Sequence, residues 1–203
     1  MKDEENMLDE RATIYQETIS ESGNDPRFIV TKWIRSGAKV LDVGCACGDL
    51  GVYLKNNRSC EVHGFEYNPE SIKIAENTNA YAHIHQIDLN AFSPDLFDYQ
   101  SSFDIIVICD VLEHLQDPLA VVQKLKSFLK KDGCLLMSIP NLTHASIKML
   151  LLSNKINYRE NGLLDETHLH FFTWRSIYDL LDQAALSMCA IDIVPCGAFT
   201  GDI

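Results

Sequence analysis

Asp42, Glu66, Asp88 and Asp110 each stand where a short apolar segment ends, in Val40-Leu41-Asp42, Gly64-Phe65-Glu66, Ile87-Asp88 and Cys109-Asp110. After the first comes Gly44-Cys45-Ala46-Cys47-Gly48, a turn of small residues that lets backbone approach a bound nucleoside closely. A pyrophosphate seated on the following helix N-terminus would gain nothing from Asp42. A ligand carrying ammonium and sulfonium groups would be attracted by it. Glu66 is placed to accept from ribose hydroxyls, with Tyr67 beside it, and Asp88 to accept from an adenine amino group, with Leu89 alongside. His114 and His168 can take a proton near neutral pH without a large pKa shift, and both fall where a second substrate would enter. Together these residues predict a site for a cationic nucleoside, S-adenosylmethionine, facing a base.

The elements that must hold them alternate. Apolar runs predict strands over 39–43, 60–65, 82–87, 103–109 and 134–139, with a sixth over 188–194. Helical spacing and start signals predict helices over 49–57, 69–76, 117–130, 143–152 and 173–185. Nearly continuous apolar strands separated by helices imply a doubly wound, mainly parallel α/β sheet, which takes ligands outside the carboxyl ends of its strands. Residues 1–36 are expected to form a helical N-terminal cap, broken at 22–26, and residues 37–203 a single globular domain. Phe28, Ile29, Trp33 and Ile34 give that cap an apolar stripe, and Gly37 is expected to close its last helix.

The 203-residue chain has a net charge of -12, which argues against broad binding to nucleic acid or to anionic membranes. Its acidic start does not read as a signal peptide, and no apolar run matches a membrane span. Seven cysteines, with Cys60, Cys109 and Cys134 expected in or beside buried strands, suit a reducing, cytoplasmic setting. Cys45 and Cys47 are read as loop residues, since no second pair with zinc-like spacing follows.

The pieces VLDVGCACG, GFEYNPESIKIA, IHQIDLN, FDIIVICDVLEHLQDP and LKKDGCLLMSIPN resemble the class I S-adenosylmethionine-dependent methyltransferases over about 39–194. The resemblance implies that Asp42 and the turn carrying Gly44, Ala46 and Gly48 lie under the methionine part of the cofactor. By the same likeness Glu66 would hold the ribose, Asp88 and Leu89 would flank the adenine, and Cys109 and Asp110 would line the pocket near the methyl group. Ala46 stands where the family usually has glycine. The chain is also expected to lack the full C-terminal hairpin of the superfamily, because Pro195 and Gly197 break the last segment. A nicotinamide-dinucleotide fold competes on the partial fingerprint at 46–51, but Asp42 and Asp88 speak against it.

Methyl transfer to oxygen needs in-line approach and removal of the hydroxyl proton, for which His114 or His168 would serve. The motifs DVLEHLQDP, SIPN and LLDETHLHFFTWRSI resemble a bacterial branch associated with glycan and cell-surface polysaccharide biosynthesis, which makes a sugar hydroxyl the preferred acceptor. Residues 142–162 would form part of a lid over that acceptor. Asp110, Glu113, His114 and His168 also resemble the ligand spacing of metal-assisted O-methyltransferases. A divalent ion is the less favoured alternative, because hard cations such as Mg²⁺ prefer oxygen donors to histidine. Two other classes stay open: a noncatalytic cofactor-binding or scaffold protein, and transfer to nitrogen or carbon.

Overall fold

The computed structural model describes residues 18–21, 23–154, 158 and 162–194. Five strands, β1 (Lys39–Val43), β2 (Glu61–Glu66), β3 (Tyr81–Gln86), β4 (Phe103–Cys109) and β5 (Leu129–Ser138), pair in the order β3-β2-β1-β4-β5. Every pairing is parallel. The chain winds outward from β1 to β3 and then returns to place β4 on the other side of β1. That reversal opens a crevice at the carboxyl ends of β1 and β4. Among the described residues six α-helices accompany the sheet: α1 (Pro26–Thr31), α2 (Asp49–Arg58), α3 (Pro69–Asn77), α4 (Pro118–Lys126), α5 (Ala145–Leu152) and α6 (Trp174–Gln183).

Local chemistry explains where the helices begin. Pro26, Pro69 and Pro118 each open a helix behind an Asp or Asn whose side chain accepts from the first-turn amides. Thr173 and Ser176 form a reciprocal capping box at the start of α6. Strand alternation then divides the core. Leu41, Val43, Phe65, Ile106 and Ile108 pack with Val121, Val122 and Leu125 of α4 and with Ile177, Leu180 and Leu181 of α6. Val40, Val62, Ile105 and Val107 pack on the opposite face with Val30, Leu50 and Leu54. Asp42 shares the parity of Val40, so it points into the face covered by α1 and α2. No helix among the described residues is long and apolar enough to cross a membrane.

The structure corrects several expected boundaries. Helix α1 stops at Thr31, whose hydroxyl donates to the Phe28 carbonyl, and the amides of 32–34 each bond the carbonyl three residues back. Trp33 is consequently 50% exposed while Ile34 is buried. Gly37 does not cap that helix; it takes a left-handed φ of 73° in the turn into β1 and donates its N–H to Arg58. Helix α4 ends at Lys126 because Phe128 is drawn fully into the core, where its carbonyl accepts from Ser102 and Phe103. Strand β5 therefore starts at Leu129, and the Asp132-Gly133 turn becomes an irregularity between the Phe103–Leu129 and Ile105–Cys134 pairs. Cys134 is exposed. Residues 188–194 form no strand: Cys189, Ile191 and Ile193 are exposed, and Asp192 accepts from the Trp33 indole. Half of the expected N-terminal cap (1–17 and 22) and residues 195–203 lie outside the described residues.

One side chain ties the crevice floor together. The Tyr81 ring lies against Gly48, Gly51 and Gly64, and a Cβ added to Gly51 would sit 2.3 Å from that ring. Gly51→Ala should therefore cost about 1–3 kcal/mol in urea unfolding. Gly23→Ala, with nothing within 4 Å of the new methyl, should stay within about 0.5 kcal/mol. Equal effects of the two changes would contradict the packing assigned to Tyr81.

Candidate active site

The loop between β1 and α2 is shaped by three left-handed residues, Gly44 at φ 75°, Ala46 at φ 45° and Gly48 at φ 92°. Gly44 and Cys45 both donate to the Phe65 carbonyl, which fastens the loop to β2. A Cβ on Gly44 would meet the Val111 side chain at 2.5 Å, so the same loop abuts the turn that follows β4. Ala46 is a non-glycine residue held in the left-handed region, where its N–H donates to Glu66 Oε2 at 2.8 Å.

Glu66 takes three backbone N–H groups: Ala46 on Oε2, and Tyr67 and Asn68 on Oε1, each at 2.8 Å. A carboxylate has about four acceptor sites, so capacity is left for a ligand hydroxyl. Asp42 is buried, and its Oδ2 accepts from the Tyr81 hydroxyl at 2.7 Å. Burial pushes its carboxyl up to about 7; the Tyr81 hydrogen bond and the Arg27 charge oppose that rise, and the Glu66 charge adds to it. Asp42 is thus a group enclosed beneath the loop rather than an open countercharge. Tyr81, which donates to Asp42 and accepts from the Gly51 N–H, went unnoticed in the sequence. The glycines at 48, 51 and 64 were the available signal.

The remaining predicted cofactor residues line up along the strand ends. Tyr67 is largely exposed beyond β2. Asp88 is exposed beyond β3 and accepts from the Asn90 N–H, while Leu89 packs against the core. Cys109 ends β4, and Asp110 follows in a left-handed conformation with its Oδ1 accepting from Ser138 at 2.7 Å. A cofactor with nucleoside and amino-acid parts fits this cradle: small residues at 44–48 leave the backbone accessible, and Glu66 faces the loop with acceptor capacity to spare.

Beyond Asp110, a single 3-10 turn at Leu112–His114 meets the segment 165–170. Leu169 and His170 donate backbone N–H groups to the Glu113 carbonyl. The Glu113 side chain is 1% exposed, and neither carboxylate oxygen has a hydrogen-bond partner among the described residues. His168 Nε2 is 3.9 Å from Glu113 Oε1, beyond hydrogen-bond range. Burial pushes the Glu113 carboxyl up to about 8, and Asp110 and Asp165 add to the rise. Burial also lowers the His168 pKa, with the neighbouring His114 adding to the effect. Both side chains are therefore held neutral near pH 7. The His114 and His168 rings meet edge-on at 4.9 Å, and His114 Nδ1 bonds Thr167. Ligand atoms of Glu113, His114 and His168 all lie within 4.8 Å of one another, so these three can hold a metal ion. Asp110 does not join them.

An orphaned buried carboxyl carries a stability cost whose pH dependence is fixed in sign. The folded Glu113 keeps its proton to about pH 8, the unfolded one only to about 4.5. The contribution of Glu113 to stability therefore falls as pH rises across that window and levels off above it. Glu113→Gln, unfolded by urea in the presence of chelator, should gain on wild type by roughly 3 kcal/mol between pH 4 and pH 7. Parallel stability curves would contradict this assignment.

Residues 17–190 match the model of a family described as a methyltransferase domain. The chain is 32% identical over 127 residues to a ubiquinone biosynthesis O-methyltransferase of Xanthomonas campestris pv. campestris, covering 62% of this chain and 52% of the relative. It is 32% identical over 161 residues to the protein of that description from Idiomarina loihiensis, covering 77% and 64%. The chain therefore spans about half the length of the first of these relatives. A SAM-dependent methyltransferase structure from Aquifex aeolicus superposes with TM-score 0.61 at 17% identity, covering 86% of each chain. One from Archaeoglobus fulgidus gives 0.59 at 18%, covering 81% of this chain and 71% of the other. These superpositions share the doubly wound fold, with β1 and its glycine-flanked loop at its centre. The methyltransferase family and fold make S-adenosylmethionine the cofactor of this chain. With the family's domain extending over most of its length, the chain belongs to the methyltransferase-domain family, among the class I S-adenosylmethionine-dependent methyltransferases.

Proposed function

We propose that this protein methylates a hydroxyl of a small-molecule acceptor, with His114 as the base. The observation that carries the reading is the buried Glu113 carboxyl, unpartnered and flanked by His114 and His168, in the turn that adjoins the cofactor loop through Val111 and Gly44. Bound S-adenosylmethionine supplies a methyl group activated by its sulfonium. Glu66 would hold the ribose hydroxyls, and the loop at 44–48 would bring backbone against the methionine part. Asp42, propped by Tyr81, supports that loop from below. At the acceptor side, His114 Nδ1 is already engaged by Thr167, so Nε2 is the ring nitrogen left to take the hydroxyl proton. Glu113, protonated near neutral pH, can donate to an acceptor oxygen or to the developing proton-transfer network. His168 packs edge-on against His114 and limits where that ring can turn.

The relatives named for ubiquinone biosynthesis support oxygen as the methylated atom. The finer choice of a sugar or glycan hydroxyl rests on the motifs DVLEHLQDP, SIPN and LLDETHLHFFTWRSI. Of residues 142–162, the described part that includes α5 would form part of the acceptor lid, while 155–157 and 159–161 lie outside the described residues.

Two substitutions separate binding from chemistry. Glu66→Ala should weaken S-adenosylmethionine binding roughly 10- to 100-fold by calorimetry. His114→Ala should leave that affinity unchanged and lower kcat about 10²- to 10⁴-fold on a hydroxyl acceptor. Undiminished affinity in the first, or an undiminished rate in the second, would refute the corresponding role.

A second reading places a divalent ion on Glu113, His114 and His168. Two imidazoles and one carboxylate suit Zn²⁺, Mn²⁺ or Fe²⁺ better than Mg²⁺, and such an ion would lower the pKa of an acceptor hydroxyl. If it operates, exhaustive chelation should abolish turnover and the correct ion should restore it. A rate indifferent to chelation would leave His114 as base without metal.

A further inference from the structure

The geometry points to Asp165 and Thr167 as positioning residues that set the tautomer of His114, through a hydrogen-bond chain running Asp165–Thr167–His114. This rests on the reading of His114 as the base and deepens it by assigning which ring nitrogen is free to act. Asp165 is buried, and its Oδ1 accepts from both the Thr167 N–H at 2.7 Å and the Thr167 hydroxyl at 2.6 Å. With its proton committed to Asp165, the Thr167 hydroxyl presents only lone pairs to His114 Nδ1, 3.1 Å away. The Thr167 carbonyl, which has no proton to give, lies 3.3 Å from the same nitrogen. Both neighbours of Nδ1 are thus acceptors, and a neutral ring meets them only by carrying its hydrogen on Nδ1. The Nε2 lone pair is then the one left to take a proton. In water a neutral histidine side chain favours the opposite tautomer, so the chain of hydrogen bonds selects the minor form that a base at Nε2 requires.

The arrangement also explains why an aspartate and a threonine stand at 165 and 167. The Asp165–Thr167 turn fixes the threonine hydroxyl, and the His168 N–H closes the turn onto the Asp165 carbonyl. The docking of Leu169 and His170 on the Glu113 carbonyl then carries Thr167 to His114, 53 residues away in sequence.

The test reads the tautomer directly by ¹⁵N NMR of the histidine rings, with His114 assigned by its loss in His114→Gln and the pH raised until the ring is neutral. The expected wild-type spectrum has a protonated Nδ1 and an unprotonated Nε2. Thr167→Val should move the population toward the Nε2–H form and lower kcat roughly 10- to 100-fold, with S-adenosylmethionine affinity unchanged. Thr167→Ser, which keeps the hydroxyl, should restore both the spectrum and the rate. A wild-type ring protonated on Nε2, or a Thr167→Val spectrum identical to wild type, would overturn the proposal. The spectrum needs no turnover, so it separates this inference from the proposed reaction. Full activity in His114→Ala would remove the base while the tautomer assignment is judged on the NMR result alone.

Discussion

The proposed cofactor side of this molecule depends on a tyrosine ring packed into a slot that three glycines leave open. Gly48 and Gly51 border the slot from the loop and the first turn of α2, Gly64 from β2, and the ring carries its hydroxyl to the buried Asp42 carboxylate. A buried carboxylate without a donor would be a severe liability, and the Tyr81 hydrogen bond is what makes Asp42 tolerable there. The same hydroxyl accepts from Gly51 at the start of α2, so the floor of the crevice and the helix that follows it share one anchor. With that floor fixed, Glu66 can reach across to the Ala46 amide and hold the loop in its left-handed turn.

The proposed acceptor side is built on the opposite principle. Where Asp42 and Glu66 have their donors, Glu113 is enclosed with none among the described residues, and it sits between two histidines. Such a group lowers stability, as buried unsatisfied carboxyls do, and retains its proton at neutral pH. Perturbed acid and base groups side by side in a cleft are what proton transfer requires, which is the physical link between this destabilising cluster and the proposed reaction. The two sides meet where Val111 packs on Gly44, so the proposed donor and acceptor halves adjoin through one side chain and one glycine.

Much of this was legible from residue order. The apolar runs ending in Asp42, Glu66 and Cys109-Asp110 mark β1, β2 and β4, and Pro69, Pro118 and Thr173 mark helix starts, because alternation and capping are local properties. Boundaries set by distant contacts were not legible. The pattern at 117–130 continues in helical spacing, yet Phe128 leaves the helix to fill the core beneath β4. Residues 188–194 alternate like a strand but pair with no strand of the sheet, and Ile191 and Ile193 are exposed.

The sequence by itself determined the chemistry available: acids at successive strand ends, a small-residue loop, and histidines at 114 and 168, all of which follow from residue type and short-range spacing. Only the tertiary structure decided how those groups are used. It buried Asp42 against Tyr81, left Glu113 without a donor, kept Asp110 apart from the histidine pair, and brought Asp165 and Thr167 behind His114. The reason is that burial and hydrogen-bond partnership depend on segments far apart in the chain, here the turn after β4 and the stretch at 165–170, whose meeting is set by backbone docking rather than by any local pattern.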